Sequence, residues 1–178
     1  MSELEGNVSE IQFRDSMQMK NSPLWRFSNS IYRKEGVSEI LLDVQDKFSI
    51  DVNMILFVAW LASINRSLTA ADIQDAQKLV SLWRIRVIVP IRHIRRSLKD
   101  FSDTHYLYED VKKLEIDTEK EELKILYDNY IALSSEQKGE LTLDLLESNL
   151  HVLNEIHFFD EDRIVLTQVK KILAIAMG

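Results

Sequence analysis

The stretch that decides the fold is Val52-Asn53-Met54-Ile55-Leu56-Phe57-Val58-Ala59-Trp60-Leu61-Ala62-Ser63-Ile64, in which only Asn53 and Ser63 are polar. A helix with this sequence is apolar on every side, so other elements must surround it. Met, Leu and Ala outnumber the β-branched residues and no alternation of period two is present, which favours helix over strand. The run spans roughly 20 Å as a helix, less than the ~30 Å hydrocarbon layer of a membrane. It therefore predicts a central core helix.

The composition of the whole chain favours a single all-α domain. Its 178 residues, of which 46% are hydrophobic, are enough to bury one substantial core. Only four glycines and two prolines occur, and the abundant residues include good helix formers such as Leu, Glu, Lys and Ala. We expect a bundle of six or seven helices over residues 22–178, around the central helix at about 52–64, with a flexible segment at 1–21.

The absence of cysteine excludes some kinds of chemistry, and the composition of the first residues indicates the cellular compartment. Without cysteine, a disulfide, a thiolate metal site and a cysteine nucleophile are excluded. Residues 1–21 carry four acidic residues and lack the continuous apolar core of a signal peptide. We expect a cytoplasmic protein with no membrane span.

Capping residues and apolar spacing indicate where the helices lie. Ser22 before Pro23 predicts a helix that ends near Gly36. Ser49 and Asp51 are both suitable caps for the central helix. The spacing of apolar residues predicts the remaining helices, over residues 37–48, about 69–101, about 104–133, 134–156 and about 160–176.

The long helix over about 69–101 has a marked start and a marked interruption. Thr69 with Asp72 three residues later resembles a capping box. Pro90 lies within the apolar seam and has no N–H, and its ring clashes with the carbonyl of Arg86. We therefore expect a kink or a division of the helix at Pro90.

The C-terminal half is rich in charged residues. Charges crowd positions 115–124, and we expect this stretch to be a solvated face. Ser134 with Gln137 forms a further capping-box pattern, and Asp160 or Glu161 can cap the last helix.

Charge is distributed unevenly along the chain, whose formal net charge is −7. Residues 84–99 contain six basic and no acidic residues, whereas residues 100–178 contain eight basic and eighteen acidic residues. On an α-helix, five of the basic residues fall within an arc of about 120°. We call these five the Arg ridge: Arg84, Arg92, Arg95, Arg96 and Lys99.

Three interpretations of the Arg ridge are open. It can pair internally with the acidic C-terminal helices, which an antiparallel bundle places nearby. It can instead bind an acidic protein or a phosphate-bearing ligand, because arginine forks bind carboxylate and phosphate oxygens in pairs. Nucleic acid is the least favoured partner, because the chain is acidic overall and the ridge lacks interleaved aromatics that stack bases.

A second polar group brackets the start of the central helix. Its members can line a small pocket together with Arg92 or Arg96. Capping and a buried hydrogen-bond network also explain them, and this structural explanation is the favoured one. Tryptophans on neighbouring helices can pack in the core or contribute an apolar wall. The pocket candidates are Gln45, Asp46, Asp51, Asn53, Trp60 and Trp83.

Several separated motifs occur between residues 22 and 101: Leu24-Trp25-x-Phe27, Tyr32-x-x-x-Gly36-Val37, Gln45-Asp46, Asp51-Val52-Asn53-x-x-Leu56-Phe57-x-x-Trp60-Leu61 and Val89-Pro90-x-Arg92-x-x-Arg95-Arg96-x-Leu98-Lys99. Together they resemble an uncharacterised proteobacterial family of conserved hypothetical proteins that carry a domain of unknown function. The resemblance implies a soluble bacterial protein and supplies no activity. It also implies polar motif positions that packing alone does not require: Gln45, Asp46, Asp51, Asn53, Arg92, Arg95 and Arg96.

Familiar catalytic patterns are missing from the sequence. It contains no phosphate-binding glycine loop, no Gly-x-Ser-x-Gly elbow and no dinucleotide fingerprint. His105 with Glu109, and His151 with Glu155, each offer two metal ligands on one helical face, whereas a catalytic centre normally needs three. We therefore expect no metal and no cofactor.

Two functional hypotheses follow. The favoured one is a non-enzymatic binding or adaptor protein that docks an acidic or anionic partner on the Arg ridge. The alternative is a small-molecule binder or enzyme whose interhelical pocket, lined by Asp, Asn, Arg and Trp, accepts an anionic ligand. A flat, exposed ridge favours the first, and a deep cavity with inward arginine heads favours the second.

Overall fold

The computed structural model describes residues 22–48, 50–101, 103, 105–133, 143–157, 167, 169–171 and 173–175. Within these ranges the chain forms seven α-helices, one π-helical turn and no strand, which confirms the predicted all-α class and helix number. The elements are α1 (Pro23–Tyr32), α2 (Val37–Phe48), α3 (Val52–Ser63), α4 (Ala70–Trp83), the π turn (Arg84–Ile88), α5 (Val89–Leu98), α6 (His105–Leu133) and α7 (Leu143–His157).

Helix α3 is the centre of the bundle. Every residue from Val52 to Ala62 is buried. Helices α1, α2, α6 and α7 all pack against it, because a helix that is apolar on every side must be covered on every side. The predicted central core helix is therefore confirmed.

The predicted caps occur at three helix starts. Ser22 Oγ accepts a hydrogen bond from the third residue of α1 at 3.1 Å, and Asp51 Oδ1 accepts one from the N–H of Asn53 at 3.0 Å. Thr69 and Asp72 form a reciprocal capping box at the start of α4. Gly36 has φ 78°, a left-handed conformation that glycine adopts without steric cost, in the turn between α1 and α2.

The predicted interruption at Pro90 takes the form of the π turn. The N–H of Val89 donates to the carbonyl of Arg84, five residues back, and Pro90 lies in the first turn of α5. Because the helix widens just before Pro90, the carbonyl of Arg86 does not need an N–H from position 90.

The π turn also changes which side chains share a face. On an uninterrupted α-helix, Arg84 and Arg92 would lie about 80° apart. A π turn absorbs one extra residue and brings them to about 20° apart. Both guanidinium groups therefore point towards the helices that pack on this side, α3 and α6.

A buried amide fixes the connection between α3 and α4. Asn149 on α7 is fully buried, its Oδ1 accepts from the N–H of Leu68 at 2.9 Å, and its Nδ2 donates to the carbonyl of Arg66 at 2.8 Å. Two backbone groups of the loop thereby find partners inside the protein.

The structure tests only part of the predicted C-terminal region. Val169 and Leu173 are buried, as expected for the last helix. In the part of the chain that the structure describes, no helix has both the length and the apolar character needed to cross a membrane. Three expectations lie outside the described residues: the flexible segment 1–21, the capping box of Ser134 with Gln137, and the cap at Asp160 or Glu161.

We expect Trp60→Ala to lower the free energy of unfolding by about 3–5 kcal/mol, measured by urea denaturation. Trp60 is 5% exposed, and its ring lies 5.5 Å from Tyr127 and 5.4 Å from Tyr130, so truncation leaves a cavity that these rings cannot fill. Tyr106→Ala is the control, since Tyr106 is 67% exposed and should change stability by under about 1 kcal/mol. Equal losses for the two variants would contradict the central position of α3.

Candidate functional site

A cavity of about 350 Å³ lies between α1, α2, α3, α5 and α6. This volume is within the range of ~300–1,000 Å³ that is typical of small-molecule sites. The apolar and aromatic part of its wall consists of Trp25, Tyr32, Leu42, Val52, Leu56, Ile116 and Leu123. The charged part consists of Asp51, Arg92, Arg95, Arg96, Lys112, Glu115 and Glu119.

Three side chains hold Arg92 in the charged wall. Its Nε donates to Glu115 Oε1 at 2.9 Å, its Nη1 to Gln45 Oε1 at 3.0 Å and its Nη2 to Glu119 Oε1 at 2.7 Å. The side chain is only 16% exposed. These bonds use three of the five N–H groups of the guanidinium, so two of them have no partner among the described residues. The head is fixed in position and can still donate to a ligand oxygen.

Arg95 binds the same glutamate from the other side. Its Nε donates to Glu115 Oε2 and its Nη2 donates to Oε1 at 3.3 Å, so the pair is bidentate. Burial acts to raise the pKa of Glu115, but hydrogen bonds from Arg95 and Arg92 lower it below its ordinary value. Burial raises the pKa of Glu119 above its ordinary value, against the charge of Arg92. Glu115 therefore binds a proton less readily than a glutamate in water does, and Glu119 binds one more readily.

A second network, which we call the Asp51 cluster, lies where α3 begins and consists of Asp51, Asn53, Arg84 and Glu122. Arg84 Nη1 lies 2.8 Å from Asp51 Oδ2, although without the alignment of a hydrogen bond. Asn53 Nδ2 donates to Glu122 Oε2 at 2.6 Å, and the charge of Asp51 also acts on Glu122. Two carboxyl groups are thus buried side by side.

Glu122 is 1% exposed and is the more deeply buried of the two acids. Burial, and after it the charge of Asp51, raise the pKa of Glu122 from 4.5 to about 8, against the opposing hydrogen bond from Asn53 and the charge of Arg84. Near neutral pH, Glu122 therefore holds a proton that it can share with Asp51.

Ser28 on α1 belongs to the cavity wall, but its hydroxyl oxygen is covered by protein atoms. The residue is 2% exposed, and among the described residues its Oγ has no hydrogen-bond partner. A buried hydroxyl without a partner costs about 1–3 kcal/mol, so such groups in native proteins are commonly satisfied by a ligand or by water. The Ser28 hydroxyl is therefore a buried polar group whose partner the described residues do not supply.

Six of the residues singled out in the sequence meet in the cavity wall: Gln45, Asp51, Asn53, Arg92, Arg95 and Arg96. Arg84 lies next to the wall through its ion pair with Asp51. Asp46 pairs with Arg96 at 2.8 Å where both side chains are exposed, and Lys99 is exposed as well.

The two tryptophans among the pocket candidates lie elsewhere. Trp60 packs in the core against Tyr127 and Tyr130. Trp83 is half-buried, and its Nε1 donates to the carbonyl of Thr118 at 3.0 Å. Across the described ranges, no set of three or more His, Cys, Asp or Glu side chains is placed to hold a metal ion.

The expected solvated face at 115–124 is wrong for one side of α6. Glu115 and Glu122 are buried and Glu119 is half-buried, because Arg84, Arg92 and the cap of α3 face them from other helices. The spacing i, i+4, i+7 of the three glutamates is the signal that could have revealed this, since it puts three carboxyl groups on one helical face. No spacing pattern in the sequence indicated that Ser28 would lie in the cavity wall.

We expect Glu122→Gln to raise the thermal midpoint at pH 9, and the increase should become smaller as the pH is lowered towards 4.5. The folded protein keeps the Glu122 proton up to about pH 8, whereas the unfolded chain releases it near pH 4.5, so the free energy of unfolding falls between these values. Glutamine keeps the neutral form at every pH. Glu109→Gln removes an exposed charge from the same helix and should not flatten this fall. An unchanged pH profile in Glu122→Gln would contradict the raised pKa.

A known protein family matches the part of the chain that forms the cavity. A family described as a protein of unknown function, DUF2390, matches residues 23–126. The match spans every element that lines the cavity and extends the resemblance seen in residues 22–101 to the glutamates of α6. Searches of curated proteins and of solved structures find no match. Since the match covers more than half of the chain, this protein belongs to the DUF2390 family, whose function is unknown.

Proposed function

We propose that this protein binds a small organic anion in the cavity between α1, α2, α3, α5 and α6. The observation that carries the proposal is the inward orientation of Arg92 and Arg95, which are 16% and 19% exposed and line the cavity. Arginine forks recognise carboxylate and phosphate groups through paired hydrogen bonds.

The charge of the cavity supports an anionic head group. Its wall contains four cationic side chains against three acidic ones, in a chain whose net charge is −7. Glu115 and Glu119 hold the arginines in position, so little side-chain entropy is lost when a ligand binds. The cavity therefore offers preorganised cationic donors on Arg92 and Arg95.

The apolar wall supports an organic body rather than a bare inorganic ion. Trp25 and Tyr32 present aromatic surface, and Leu42 and Ile116 present aliphatic surface. Small-molecule sites typically combine such a wall with a few placed polar groups. The ligand class that fits is a small carboxylate or phosphate ester with an apolar or aromatic portion.

The adaptor hypothesis, in which an acidic protein docks on an exposed Arg ridge, has less support. It needs several arginine heads on one open surface. Three of the five ridge residues are largely buried and form ion pairs with carboxylates: Arg84, Arg92 and Arg95. The other two, Arg96 and Lys99, are exposed. The described geometry favours an internal ligand site over a flat docking surface.

We expect 4-methylbenzoate, which joins an anionic head to an apolar ring, to raise the thermal midpoint more than inorganic phosphate or neutral 4-methylbenzamide at constant ionic strength. A ligand at 100 times its Kd stabilises by ~2.7 kcal/mol. For a chain of this size that corresponds to a shift on the order of 5–10 °C. No stabilisation by any anion would refute the proposal.

The matched variants separate binding from stability. Arg92→Gln with Arg95→Gln should abolish the shift, while Arg86→Gln, which removes an exposed charge from the adjacent π turn, should keep it. The double variant leaves Glu115 unpaired, so a fourfold variant with Glu115→Gln and Glu119→Gln keeps the network neutral and folded. Binding of 4-methylbenzoate that survives in the fourfold variant would place the anion elsewhere.

A further inference from the structure

Large apolar side chains are exposed along the hairpin that α4, the π turn and α5 form with α6. Two of them are 62% exposed, and the least exposed is 38% exposed. Soluble monomers rarely expose a contiguous apolar group, so a group of this kind is typical of an interaction surface. We call these five residues the hairpin patch: Leu82, Ile94, Phe101, Leu107 and Leu114.

The ion pairs of the charged wall fix the register of α5 against α6. Arg92 binds Glu119, whereas Arg95, further along α5, binds Glu115, which comes earlier on α6. The two helices therefore run antiparallel, with Arg95 and Glu115 at the same level.

The residues on either side of this ion pair lie on opposite faces of the hairpin. One position after the pair, Arg96 on α5 and Ile116 on α6 both line the cavity. One position before the pair are Ile94 and Leu114. Successive helical residues are about 100° apart, so on two antiparallel helices the position before the pair turns away from the cavity on both. Ile94 and Leu114 therefore lie side by side on the face opposite the cavity.

Two rows of residues extend this face along the hairpin. The α6 row consists of residues seven positions apart, each about 20° from the next: Leu107, Leu114 and Glu121. On the other side, the π turn absorbs one residue, which brings Leu82 and Arg86 each to about 20° from Ile94. Each row thus joins apolar residues to one charged residue.

The charged residues of the two rows have opposite signs and lie at nearly the same level. Arg86 is about 12 Å from Arg95 along one helix, and Glu121 is about 9 Å from Glu115 along the other. Arg86 is exposed and Glu121 is half-buried, and neither has an ion-pair partner among the described residues. The face is therefore basic on its α5 side and acidic on its α6 side, which makes it complementary to itself.

We propose that the hairpin patch binds the same patch of a second copy of this chain. A two-fold axis parallel to the hairpin lays α5 of one copy on α6 of the other and keeps every residue at its level. The apolar rows then cover each other, and Arg86 of each copy meets Glu121 of the other, as an isologous contact requires. This contact goes beyond the proposed function, since it uses the face of the hairpin opposite the cavity.

The size of the patch predicts a weak, reversible dimer. The rows and the two helices that carry them cover roughly 25 Å by 20 Å, so two copies bury on the order of 1,000 Å² in total. The net charge of −7 adds repulsion between copies. Association should therefore depend strongly on protein concentration.

Sedimentation velocity over a hundredfold range of concentration tests the contact. We expect the mean sedimentation coefficient of the full chain to rise reversibly towards that of a dimer. Ile94→Glu places a charge in the contact twice and should raise the dissociation constant at least about tenfold. Leu143→Glu is the control, since Leu143 is an exposed apolar residue on α7. A chain that stays monomeric at every concentration, or equal association in the two variants, would overturn the proposal.

A charge exchange tests the arrangement of the two copies without altering the apolar residues. Arg86→Glu alone and Glu121→Arg alone each bring like charges together twice, so each should weaken association by roughly fivefold or more. An equal mixture of the two variants restores an opposite pair at both positions and should associate like the unaltered chain. A mixture that associates no better than either variant alone would refute the two-fold arrangement.

Discussion

The burial of α3 along its whole length is the constraint on which the rest of the structure depends. An apolar helix can be surrounded without penalty, but its first turn carries backbone N–H groups and the polar residues Asp51 and Asn53, which are buried with it. These groups need partners from other helices, and Arg84 and Glu122 supply them. The Asp51 cluster is thus a consequence of placing the start of α3 inside the bundle.

Stability alone gives an incomplete account of the charged wall. Desolvation of buried ion pairs offsets most of their attraction, and well-packed apolar residues commonly replace such pairs without loss of stability. Here two arginines and two glutamates are nevertheless held next to an open cavity, with donors on Arg92 that no described residue uses. The π turn aligns Arg84 with Arg92. This departure from regular helix geometry places Arg84 next to the charged wall, where it pairs with Asp51. A binding role accounts for both features.

Local patterns predicted much of the fold and less of the site. The caps at Ser22, Asp51 and Thr69 and the core helix depend on residues close in sequence, so spacing alone revealed them. The cavity joins α1, α2, α3, α5 and α6, and residues such as Gln45 and Arg92 stood out without any indication of how deeply they would be buried. The glutamates of α6 were misassigned to solvent because the partners of Glu115 and Glu122 lie 20 or more residues away in the sequence. Only tertiary packing shows that Trp60 faces tyrosines rather than the cavity.

Along one face of α6, two glutamates seven residues apart have pKa values displaced in opposite directions. Arginine hydrogen bonds hold Glu115 below its ordinary pKa, whereas burial beside Asp51 holds Glu122 well above it. Titratable groups with divergent pKa values in one cleft are typical of functional sites. Glu115 lines the cavity and holds the two arginines, whereas Glu122 is not part of the cavity wall and interacts with Asp51, which is. The contacts made from other helices, rather than the position along α6, therefore decide which of the two carboxyl groups is charged near neutral pH.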